Sequence, residues 1–156
     1  MLNKPIVFRI IFVVLSVLSI AVNFFVVPRF IEGISSIENV MIMKIVFIIL
    51  VSITQLPLLF SFYHSYRLLM DVTTNKAFSE SSLNRLSKIK YAILTVCLTY
   101  LIGFLVVLII DYSEYNIIMV HIVLLFISLL LLSFAYLIEQ LLLSAYSIKQ
   151  EHVLTV

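Results

Sequence analysis

This chain is short of charge: 12% of its 156 residues are Asp, Glu, Lys or Arg, where a soluble domain carries about a quarter. That deficit leaves no stretch for a separate soluble domain. Glycine is scarcer still, and no phosphate-cradling loop can be built from Gly33 and Gly103, which stand 70 positions apart. The single cysteine, Cys97, excludes an internal disulfide and the paired C-x-x-C of a thiol oxidoreductase. Inside an apolar block it reads as a small packing residue. His64, His121 and His152 fall at opposite ends of different segments and cannot converge on a metal. No serine, histidine and acid stand together as in a hydrolase, so the chain is expected to be non-enzymatic, without metal or cofactor.

What is abundant is apolar length. Hydrophobic residues make up 63% of the chain and the mean hydropathy is +1.24. They gather in four blocks, at 6–27, 44–63, 91–110 and 117–138, each of about the twenty residues a helix needs to cross a bilayer. Runs such as Leu129 to Leu132 do not alternate as a membrane β-strand would. The expected fold is therefore all-α, one membrane domain over residues 1–156, built as a four-helix bundle. Lys4 and Arg9 before the first block suggest a secretory signal. Its apolar core is too long for one, however, and no small-residue cleavage site follows, so it is expected to stay as a span.

Orientation follows from the cations. Lys4, Arg9, Arg67, Lys76, Arg85, Lys88, Lys90 and Lys149 fall on one side of the spans, Arg29 and Lys44 on the other. Positive-inside then places both termini, the hairpin 67–90 and the tail 140–156 in the cytoplasm of a bacterial cell, with a multi-pass chain in its cytoplasmic membrane. The loop 111–116 carries Asp111 and Glu114 without a cation, as suits the outer face. His121 near these two carboxylates is the arrangement that would sense external pH.

The connections carry further signals. Ser35 and Glu38 have capping-box spacing, so the second helix is expected from about Ser36 to Met70, roughly 50 Å long. Pro57 is its expected kink. The stretch from Asp71 to Phe78 reads as a turn, with Ser79 as N-cap and Glu80 in the first helical position. Beyond it Leu83, Leu86, Ile89 and Ile93 share one helical face while Arg85 and Lys88 point elsewhere.

None of the blocks has a charge near its centre; Arg9, Lys44 and Glu139 lie close to an interface, within snorkelling reach. The intramembrane polar residues are Asn23, Gln55, Tyr100, His121 and Glu139, with Ser16, Ser19 and Ser128 in the same stripes. Such stripes glue helices together, or alternatively line a transport path.

The segment from Ala77 to Tyr91 resembles the "P-F-S/T-x-x-N-x-x-R-L-x-x-I-x-Y" signature of a family of small four-span bacterial membrane proteins, the domain of unknown function 2975. Phe78, Ser79, Arg85, Leu86, Ile89 and Tyr91 match it in place. The tail resembles the family ending "L-x-E-E-x-D-L-T-V" through Glu151, Leu154, Thr155 and Val156, with Val153 where the family has aspartate and Ala77 where it has proline. The resemblance implies a membrane protein whose gene often neighbours that of a small helix-turn-helix DNA-binding protein.

Two functional classes follow. The first is a regulatory membrane protein that contacts lipid, does not itself bind nucleic acid, and docks a cytoplasmic partner such as a small DNA-binding regulator. Its expected docking residues are Phe78, Ser79, Leu83, Arg85, Leu86, Lys88, Glu151, Leu154, Thr155 and Val156. The alternative is a small transporter or channel-like subunit using the polar stripes.

Overall fold

A computed structural model describes residues 4–26, 29, 40–74, 79–109 and 115–154. Helix α1, Lys4–Ala21, passes into a π-helical turn, Val22–Val26. Helices α2, Val40–Thr73, α3, Glu80–Ile109, and α4, Tyr115–Leu154, follow. Among the described residues there is no strand. The capping box at Ser35 and Glu38, and the carboxylates Asp111 and Glu114 expected near His121, lie outside the described residues.

Local chemistry sets the helix ends near the hairpin. The Ser79 carbonyl accepts the amides of Ser82 and Leu83 at 3.0 and 3.2 Å, and its hydroxyl accepts Ser82 N–H at 3.4 Å. Ser79 is thus the N-cap of α3, with Glu80 favourably placed against the helix dipole. Helix α2 runs three residues past Met70 instead of stopping there. In its last turn the Met70 carbonyl accepts the Thr74 amide at 3.1 Å and the hydroxyls of Thr73 and Thr74 at 2.8 and 3.1 Å. Asp71 therefore belongs to the final turn of α2 and not to a loop. Pro57 sits inside the same helix, where it withholds the amide that would bond to the Ile53 carbonyl. Helix α4 continues well beyond Ile138, because no Gly or Pro interrupts residues 139–154.

Neighbouring helices pack in chain order, α1 on α2, α2 on α3, α3 on α4. Cross-helix pairs show each neighbour to be antiparallel. Phe12 meets Tyr66 and Ser19 meets Gln55; Asp71 meets Ser82 and Thr54 meets Tyr100; Lys90 meets Glu139, while His121 lies beside Gly103. The end of α2, the start of α3, the start of α1 and the end of α4 accordingly share one end of the bundle.

The interior is built from small residues. Ala92, Cys97, Gly103, Ser128 and Ala135 are buried between helices. At Gly103 a Cβ would stand 2.7 Å from Leu50 Cδ1 and 3.5 Å from His121 Nε2, so glycine lets α3 approach both neighbours. The outside is more apolar than the inside: Leu56, Phe24 and Ile109 are 74%, 70% and 80% exposed. Such a surface fits lipid and not water. Three segments, Phe47–Thr73, Glu80–Ile109 and Ile118–Ile148, are long and apolar enough to cross a membrane; Ile6–Ala21 is a shorter apolar helix.

Candidate functional site

At the hairpin end, α2 and α3 are tied together by charge. Arg85 Nη1 lies 2.9 Å from Asp71 Oδ2 and donates to the Arg67 carbonyl at 2.8 Å. Ser82, fully buried, donates to the same Asp71 oxygen at 3.2 Å, and its hydroxyl meets that of Ser79 at 3.2 Å. One carboxylate thus fixes the last turn of α2 against the first turn of α3. Its mean environment is half-sheltered, with side-chain exposures of 26% for Arg85 and 12% for Asp71. Two turns earlier on α2, His64 is buried with the rings of Phe60 and Tyr63 at centroid distances of 4.3 and 5.3 Å. Its Nδ1 has no hydrogen-bond partner among the described residues.

Deeper in the bundle the polar side chains meet across helices. Gln55 Nε2 donates to Ser19 Oγ at 2.9 Å, and Thr54 Oγ1 and Tyr100 Oη are 3.4 Å apart. Lys90 Nζ reaches Glu139 Oε2 at 2.6 Å and lies 4.7 Å from the centroid of the Tyr136 ring. His121 is buried with its ring edge-on to Phe47 at 5.2 Å. Ser16 and Ser128 turn their hydroxyls back onto their own helices, donating to Phe12 O and Leu125 O, which satisfies the O–H donor of each within its own helix.

This bundle of apolar-faced helices agrees with what comparison with known proteins finds. A model of the family described as "Protein of unknown function (DUF2975)" matches residues 11–156. The chain belongs to the DUF2975 family. It is also 31% identical over 152 residues to a Bacillus subtilis protein described as "Uncharacterized membrane protein YoaS", covering 95% of this chain and 94% of that one. No solved structure matches. The protein is a membrane protein of this family.

Within this DUF2975 protein the residues singled out from sequence divide into three groups. Ser79, Leu83, Arg85, Leu86 and Lys88 all lie on the first turns of α3, but in different surroundings. Leu86 is buried, at 3% exposure, and so are Ile89 and Ala92 further along the helix, so it serves the helix contact and cannot anchor a partner in this conformation. Leu83 is half-buried, and Lys88 is exposed. Phe78, Thr155 and Val156 lie outside the described residues; Glu151 and Leu154 fall in the last turn of α4, with side chains outside the description, as is that of Asn23 in the π-helical turn. Gln55, Tyr100, His121 and Glu139 each sit at a helix contact. Sequence reasoning missed Asp71, Ser82 and the Lys90 partner of Glu139. The available signal was a carboxylate and a cation flanking one turn at Asp71 and Arg85.

Proposed function

We propose that this DUF2975 protein is a non-enzymatic, regulatory, multi-pass protein of the bacterial cytoplasmic membrane, crossing it four times with both termini inside. Its inner end docks a cytoplasmic protein partner, such as a small helix-turn-helix regulator. The observation that carries this reading is the length of α4, a continuous helix of 40 residues. At 1.5 Å per residue it measures about 60 Å, against about 30 Å of hydrocarbon. Even a tilt of about 40° lengthens the path only to about 39 Å, so on the order of 20 Å of helix stands outside the hydrocarbon.

The C-terminal part of that helix has the character of a docking face. Leu141 and Ile148, seven residues apart, are exposed, and exposed Gln140, Ser144 and Ser147 border them. It shares an end with the hairpin, whose exposed Lys88 adds a cation that steers an acidic surface. The rigid tie between Asp71, Ser82 and Arg85 supports a preformed surface there. The mutual pairing of Gln55, Tyr100 and Glu139 with neighbouring helices supports a packing role for the stripes and not a transport path.

The test is affinity capture of the full chain in mild detergent, with identification of what comes along. A small DNA-binding protein retained by the parent, and lost from both Lys88→Glu and a deletion of residues 149–156 at equal membrane abundance, supports docking. Equal capture by all three forms removes it.

A further inference from the structure

Between the hairpin ends of α1, α2 and α3 lies a cavity of about 380 Å³ lined by Arg9, Tyr63, Tyr66, Arg67, Asp71 and Arg85, among others. Three guanidinium groups, one from each helix, face it with one carboxylate, and that carboxylate is already engaged by Arg85 Nη1 and Ser82. A guanidinium offers five N–H donors, and Nη1 alone makes both of the contacts of Arg85, to Asp71 and to the Arg67 carbonyl. Its other three donors remain for a ligand. Arg67 has no carboxylate: its Nε donates to Tyr63 Oη at 3.2 Å, and its guanidinium lies 5.6 Å from the centroid of that ring. Arg9 has neither ion pair nor hydrogen bond to any described side chain. The cavity is thus left with two positive charges in excess.

We propose that this cavity binds a phosphate group. Planar guanidinium forks match phosphate oxygens in pairs, and a phosphate offers enough oxygens to be shared among donors arriving from three helices. A carboxylate, with two oxygens, would be satisfied by one arginine alone. The tyrosines complete the site. Tyr63 Oη accepts from Arg67 and so keeps its own proton to donate, while the ring of Tyr66 packs in a T-shaped arrangement with Phe12, centroids 6.0 Å apart. The position suits the ligand as well. Arg67 and Asp71 fall at the end of the apolar segment Phe47–Thr73, the depth at which a phospholipid presents its phosphate, and the same chemistry would admit a soluble phosphate ester from the aqueous side.

Phosphate binding is separable from protein docking, because it uses Arg9, Arg67 and Arg85 and neither Lys88 nor the tail, and its test turns on Arg9 and Arg67 alone. The experiment is a binding titration on the full chain purified in an uncharged detergent, read by native mass spectrometry with phosphatidylglycerol, with a neutral diacylglycerol, and with inorganic phosphate as competitor. Saturable binding of phosphatidylglycerol but not diacylglycerol is expected. Arg9→Gln and Arg67→Gln should each weaken it at least fivefold, and Arg29→Gln, an arginine outside the cavity, less than twofold. Displacement of the lipid by millimolar phosphate assigns the site to soluble phosphate compounds, and resistance to displacement assigns it to the lipid headgroup. No saturable binding by the parent protein of either phosphate source, or equal loss in all three variants, overturns the proposal.

Discussion

Lys90 and Glu139 form an ion pair across α3 and α4, with Nζ 2.6 Å from Oε2 and each side chain only 13% exposed. In sequence Glu139 looks like an interfacial residue that reaches for water and Lys90 like one of the cytoplasmic cations. In the fold they reach for each other, and Lys90 also lies over the rings of Tyr91 and Tyr136, at 5.2 and 4.7 Å. The pair neutralises two charges beside hydrocarbon and sets the register of the longest helix against its neighbour.

Removing one partner strands the other. Glu139→Gln and Lys90→Met should each lower stability in detergent by about 2 kcal/mol, below the 3–5 kcal/mol of a fully buried pair because water lies within reach. The double variant should recover at least half of that loss. Additive losses in thermal unfolding would show that the two residues act independently.

The bond between Gln55 and Ser19 joins α1 to α2 by their side chains. Gln55→Leu should cost at most about 1–2 kcal/mol, the scale of an interhelical hydrogen bond in a membrane. Capture of a partner should be unchanged. A stable Gln55→Leu protein that had lost its function entirely would favour transport.

Gly103 is where α3 comes nearest to Leu50 and His121. Alanine there asks only the end of the Leu50 side chain to move, and alanine is the better helix former by about 1 kcal/mol. Gly103→Ala should therefore be close to neutral. Gly103→Leu should cost about 1–3 kcal/mol by overpacking, measured as a fall in melting temperature.

Asp71 organises the hairpin, and Asp71→Asn keeps its shape while weakening its hold on Arg85 and Ser82. The loss should be local, about 1 kcal/mol for a half-sheltered pair. Hydrogen exchange should speed up at the amides of Ser82 and Leu83 and stay unchanged between Val96 and Gly103. Uniform acceleration along α3 would place the tie in the global core instead.

Those features written in local chemistry could be read in advance. Ser79 followed by Glu80 announces an N-cap, and the long apolar runs announce helices, because these depend on neighbours in sequence. The expected end of α2 at Met70 falls three residues short, because no Gly or Pro stands at 71–73 to stop the helix and the Thr74 amide still reaches the Met70 carbonyl at 3.1 Å. Leu86 shows the same boundary of inference. Helical periodicity puts it on an apolar face but cannot say whether that face meets another helix or a partner. The ties of Asp71 to Ser82 and Arg85, and of Lys90 to Glu139, join residues 11, 14 and 49 positions apart. They arise only once α2, α3 and α4 stand side by side, so composition and spacing leave them hidden.

The docking surface exists only if the hairpin and the end of α4 face the cytoplasm. Cysteine labelling in intact cells measures this directly, in a Cys97→Ser background with a membrane-impermeant thiol reagent. Ser81→Cys and Gln150→Cys are suitable inner reporters because both side chains are exposed; Ser35→Cys and Ser113→Cys report the opposite side. The account predicts labelling of the second pair in intact cells, and of the first pair only after the membrane is opened. Labelling of Ser81→Cys or Gln150→Cys in sealed cells would contradict it.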